Sequence, residues 1–101
     1  MRRYVLTAEA QKDLRDIRDY VLREGGFRVA RYVVGSIVTA LRSLTRTPGL
    51  GHRREDLSTR DELLFWTVFS YVIVYRTDKK TLTVLAILHG NRDVGQILKA
   101  R

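Results

Sequence analysis

The spacing of apolar positions changes twice along this chain. Residues 3–6 read as a short strand that stops at Thr7, a fitting N-cap, with Glu9 in the first turn where a helix dipole favours an anion. Ala10, Leu14, Ile17 and Val21 then recur at spacings of four, three and four, and Lys12, Asp13, Arg15, Asp16, Arg18 and Asp19 fill the other positions. That spacing predicts an amphipathic helix ending at Gly25-Gly26. A second helical stretch from about Phe27 puts Ala30, Val33, Val34, Ile37, Val38, Leu41 and Leu44 on one broad face, with Arg28, Arg31, Arg42 and Arg46 off it. Thr47-Pro48-Gly49 stops it. A joint this short between two amphipathic helices predicts an antiparallel helical hairpin.

Residues 50–61 are polar and aperiodic, which predicts a loop. Residues 63–69, 71–76 and 81–89 are then rich in aromatic and β-branched side chains, the signature of three strands. The polar turn Thr77-Asp78-Lys79-Lys80 makes the last two antiparallel neighbours. Val84-Leu85-Ala86-Ile87-Leu88 lacks polar alternation, so this strand belongs in the middle of a sheet with little solvent on either face. The fold class is therefore α+β: an N-terminal strand, an antiparallel helical hairpin and a three-stranded antiparallel meander, in two layers. The first strand must join the sheet, since its backbone groups need partners. Residues 92–101 have room for a helical turn or two.

A chain of 101 residues fits one domain, spanning 1–101. Lys and Arg number 19 against 11 Asp and Glu, a formal charge of +8. The excess is spread along the chain, ten basic against five acidic residues up to position 50 and nine against six after it. The positive field thus belongs to the folded body and suits a polyanion or an acidic protein. The absence of cysteine removes disulfides and thiolate chemistry and is compatible with a reducing cytoplasm. The basic start Met1-Arg2-Arg3 leads into no apolar leader segment, and the longest apolar run is far too short for a membrane span. A soluble cytoplasmic protein, with no membrane partner, is expected.

Four stretches together resemble the ParE-type toxins of the RelE/ParE superfamily of type II toxin–antitoxin systems. Leu6-Thr7-Ala8-Glu9-Ala10-Gln11-Lys12-Asp13-Leu14-Arg15-Asp16-Ile17 is similar to that family's strand-to-helix opening, and Pro48-Gly49-Leu50-Gly51 to the close of its second helix. Tyr71 to Arg76 resembles its aromatic strand ending in Tyr-Arg, and Ile87-Leu88-His89-Gly90-Asn91-Arg92-Asp93 its closing signature. RelE-like members cut ribosome-bound messenger RNA with lysines, arginines and a tyrosine. Alignment through residues 71–75 puts Leu63, Phe65, Val72 and Leu98 at four of those places, and only Arg92 matches. RNA cleavage without a metal needs a base, cations for the phosphorane and an acid, which leucine, phenylalanine and valine cannot supply.

The resemblance therefore implies a ParE-like toxin that inhibits DNA gyrase without covalent catalysis of its own, needs no cofactor and pairs with an acidic ParD-like antitoxin as a hetero-oligomer. Alternatives are a RelE-like ribosome-dependent mRNA endonuclease with a rebuilt site, and an inactive partner-binding module. On the first reading Arg76, His89, Asn91 and Arg92, near strand ends, are the candidates for contact with the gyrase–DNA complex. Arg15, Arg18, Arg31 and Arg42 on the helices are the candidates for contact with the antitoxin, whose tail could fold into the groove between the two helices or add along a sheet edge.

Plainer readings stay open beside these. Arg92 can be a surface cation paired with Asp93, His89 a hydrogen-bonded structural histidine, and His52 a solvated loop residue. The two histidines are far apart and framed by no carboxylate cluster, so no metal site is expected. No serine lies in a nucleophile elbow. Tyr71, Tyr75, Trp66 and Phe69 could stack on bases beside Arg76, but half of any strand's aromatics face a core.

Overall fold

Thr7 caps the first helix as its sequence implies, accepting the Ala10 N–H at 3.1 Å on its side-chain oxygen. In the computed structural model, which describes residues 3–101, Thr7 lies between strand β1 (Arg3–Leu6) and helix α1 (Ala8–Arg46). Met1 and Arg2, the first residues of the basic start, lie outside the described residues. Strands β2 (Leu64–Val68), β3 (Tyr71–Thr77) and β4 (Thr81–His89) follow, and the short helix α2 (Val94–Lys99) closes the chain.

α1 is broken at Gly26, where φ is 82° and ψ 179°. That φ lies in the region where a Cβ is strained, and glycine is the residue that adopts it at little cost. The two limbs, residues 8–25 and 27–46, double back on each other. A straight helix of 39 residues would run about 58 Å, beyond the 37 Å of the molecule's longest dimension. The expected helical hairpin is present.

The sheet order is β1-β4-β3-β2. β2, β3 and β4 form the antiparallel meander, and β1 pairs parallel to β4 from Arg3 opposite Thr81 to Leu6 opposite Val84. β4 is thus central, as its unbroken apolar run predicts. Its register shifts once: Val74 faces Ala86 and Tyr75 faces Val84, leaving Leu85 without an opposite number. A bulge of this kind turns consecutive residues to the same face. Leu82, Val84 and Ile87 accordingly pack under the hairpin, against Ile17, Ile37, Leu41 and Leu44, while Leu85, Ala86 and Leu88 turn to the other face.

That second face is closed by the loop before β2 and by α2. Leu63, Phe65, Val72, Val74, Val94 and Leu98 form a smaller core there, with Leu57 and Ile97 against it. To the hairpin and the sheet is thus added a partial cover that the polar loop sequence did not announce. Each fully buried leucine or isoleucine contributes about 2 kcal/mol of transfer free energy.

Tyr75 joins the loop to the sheet. It is fully buried, its hydroxyl accepts the Gly51 N–H at 3.0 Å and donates to the Pro48 carbonyl, and burial pushes its pKa up. A Cβ on residue 51 would stand 2.2 Å from that hydroxyl, so Gly51 is what lets the loop come this close.

Asp13 departs from the expected helix pattern. Three residues after Ala10 and four before Ile17, it lies on the inner stripe of α1, not on the polar face, and only 6% of its surface is exposed. One carboxylate oxygen accepts the backbone N–H of Ile87 at 3.0 Å, and the Arg101 guanidinium grips both oxygens while also donating to Leu85 O at 3.1 Å. β1 leaves β4 after Val84, and this ion pair takes the backbone groups of β4 that the departing strand no longer meets.

Candidate functional site

β4 ends at His89 beside the first limb of α1, and the turn to α2 bends around the same place. Between them opens a cleft of about 460 Å³ whose walls include Asp16 and Tyr20 from α1, Tyr71 from β3, and His89, Asn91 and Arg92. Three of the four expected target contacts are therefore neighbours. Arg76 is not among them: Tyr71 pairs with His89 and Arg76 with Thr83, so Arg76 is exposed about 17 Å further along β3.

The ring of His89 stands edge-on to Tyr71, with centroids 5.4 Å apart and an 82° interplanar angle. Its Nδ1 accepts the Asn91 N–H at 3.1 Å, which fixes the ring. Burial pushes the Tyr71 hydroxyl up, and nearby Tyr20 adds to the shift. Lys12, bonded to Asp16 at 2.8 Å, holds that carboxyl below the usual range, with smaller pulls from Arg15 and Arg92.

Arg92 does not pair with Asp93, whose side chain instead caps α2 by accepting the Gln96 N–H at 3.2 Å. Aromatic walls, an amide and a guanidinium are means of gripping a surface.

Two residues of this cleft escaped the sequence reading. Tyr20 sits in the first limb with no local signal beyond being a large ring among charges, and Asp16 looks like any solvated helix carboxylate. In sequence Tyr71 carries only the signal of a stacking residue. The remaining aromatic candidates divide: Tyr75 is fully buried, Trp66 packs partly beneath the hairpin, and Phe69 is exposed at the β2–β3 turn. The His52 side chain is exposed as expected, while its backbone pairs with Phe65 beside β2.

The arginines expected to meet an antitoxin are all exposed on the hairpin. Arg18 and Arg31 share an apolar groove of about 380 Å³ between the limbs, walled by Leu22, Phe27, Ala30 and Val34. Arg15 and Arg42 do not line it. Among the described residues no cluster of histidine, aspartate or glutamate could hold a metal ion, and no helix is long and apolar enough to cross a membrane.

Leu63, Phe65 and Val72 lie together with Leu98 of α2 in the smaller core, each at most 6% exposed. These are the positions at which the resemblance would set a RelE-like cleavage apparatus. Comparison with family models matches residues 4–94 to the ParE toxin of the type II toxin–antitoxin system parDE. The chain belongs to the ParE toxin family. The α+β fold agrees with that membership: a chain from a structure described as the chromosomal ParDE toxin–antitoxin system from P. aeruginosa superposes with a TM-score of 0.73. At 23% identity, the match covers 88% of this chain and 96% of that one, and ParE-like architecture is what the two share. A comparison with curated proteins returns no significant match.

Proposed function

We propose that this ParE-family chain is a toxin that acts on the DNA gyrase–DNA complex by binding, without making or breaking a bond itself, and that an acidic ParD-like antitoxin neutralises it. One observation carries the non-catalytic part: the four positions that would hold an RNA-cleaving set are apolar and buried in the smaller core. The cleft with His89, Asn91 and Arg92 supplies the target-facing surface, and the charge of +8 steers the chain toward DNA. Arg76, at the far end of β3, serves as a second, separate cation toward the same polyanion.

The hairpin groove supports the antitoxin half of the reading. Its walls are nearly all apolar, Phe27 and Leu22 stand 69% and 44% exposed, and Arg18 and Arg31 flank it. An amphipathic acidic segment would bury the apolar side and meet the arginines with its carboxylates. A supercoiling assay with purified protein tests the target: inhibition of gyrase with accumulation of cleaved DNA is the expected result. Unimpaired supercoiling, or ribosome-dependent cutting of messenger RNA, would overturn the proposal.

A further inference from the structure

The end of the sheet that holds the cleft also carries an aromatic residue in a backbone conformation its side chain disfavours. Phe69 opens the two-residue turn between β2 and β3 with φ of 56°, where glycine or asparagine is the usual occupant. Core packing does not account for it, because 52% of Phe69 is exposed. Tyr32, on the second limb of α1, tilts against it with ring centroids 5.7 Å apart and is itself 67% exposed. The next residue, Ser70, accepts the Gly90 N–H at 2.7 Å, which ties this turn to the segment bearing Asn91 and Arg92. Strain at a ring that stays half exposed points to a role at the surface.

Tyr20 and Tyr71 in the adjoining cleft bring the phenyl and phenol rings at this end to four. The nearby acids are engaged: Asp13 with Arg101, Asp16 with Lys12, Asp19 with Arg18, and Asp93 with the cap of α2. Arg92 forms no salt bridge among the described residues. An unpaired base presents a π-face that an exposed ring can cover, and its phosphate offers a charge to an arginine; a duplex hides the former. An acidic peptide, by contrast, finds its arginines along the hairpin groove.

We propose that this aromatic end binds unpaired bases of single-stranded DNA, which stack on Phe69 and Tyr32 while Arg92 takes a neighbouring phosphate. The choice of DNA rests on the gyrase reading, since a cleaved and opened duplex is where such bases become available.

The test is a fluorescence-anisotropy titration of the full chain with a short labelled oligothymidylate, a duplex of equal length and the matching ribo-oligomer. Tighter binding of the single-stranded DNA than of either competitor is expected. Phe69→Gly lowers that affinity about 5- to 150-fold, the range for loss of one stacked base, while raising Tm because the turn is relieved of strain. Arg92→Gln weakens binding and reduces the salt slope by about one phosphate contact. Duplex bound as tightly as single strand, tighter binding of the ribo-oligomer, or Phe69→Gly binding like the parent would each overturn the inference. None of these readings involves gyrase, so failure here with supercoiling still inhibited removes only the stacking site. Intact stacking with unaffected supercoiling removes only the gyrase target.

Discussion

Asp13 and Arg101, 88 residues apart in sequence, form a two-pronged ion pair at the point where β1 leaves the sheet. The carboxylate is 6% exposed and the guanidinium 16%, and the pair also holds the Ile87 N–H and the Leu85 carbonyl. Removing one partner of a buried pair leaves the other uncompensated, at a cost of about 3–5 kcal/mol. Asp13→Ala is expected to lower unfolding free energy by roughly 3 kcal/mol. In urea titrations the double variant Asp13→Ala with Arg101→Ala should be little worse than Asp13→Ala alone, because the two act as one unit. Strictly additive losses would show that the contact carries no coupling.

Tyr75 satisfies two loop groups with one hydroxyl. Tyr75→Phe keeps the ring but leaves the Gly51 N–H and Pro48 carbonyl without it, and about 1–3 kcal/mol of stability should be lost. Gly51→Ala forces the same two elements apart and should lose at least as much. Thermal unfolding of both variants checks this; a Gly51→Ala protein as stable as its parent would mean that the approach is not tight in solution.

Burial raises the pKa of Tyr75 and of Tyr71 above the ordinary tyrosine value of 10.0. Below about pH 10 the phenols are neutral in both states and the stability is intact; above it the unfolded chain releases protons that the folded one retains, and stability falls. Tyr75→Phe should therefore show a shallower alkaline loss than the parent, measured as midpoint against pH between about 9 and 11. Parallel curves would remove Tyr75 from the account.

Reversing the charge at Arg18 and Arg31 together leaves the apolar groove in place while turning its flanks against an acidic segment. Affinity for the cognate antitoxin should drop on the order of tenfold or more, chiefly in the association rate and more at low salt. Arg15→Glu with Arg42→Glu, outside the groove, is the control and should change binding less. Equal losses in a calorimetric titration would show that the long-range field of the hairpin, not the groove, attracts the partner.

The order of elements was readable because apolar spacing changes from helical to strand-like at a loop, and because β4 carries an apolar run with no polar alternation. The parallel pairing of β1 was not: a four-residue strand says that it needs a partner but not which one. Asp13 sits at helical spacing from Ala10 and Ile17, a signal for the inner face. Its charge argued the other way, and the arginine that resolves the conflict is invisible to any local pattern. His89, Asn91 and Arg92 could be read together because they are adjacent in the chain. Arg76 follows Tyr71 by five residues, but an extended strand carries it to the opposite end of the sheet.

The partnership of β1 with β4 also has a bearing on timing. Arg3 cannot find its place until Thr81 has been synthesised, so a growing nascent chain exposes Ile37, Leu41 and Leu44 with no sheet to cover them. Contacts this distant in sequence slow folding and prolong that exposure. The cover over those three side chains is thus among the last parts of the fold to form.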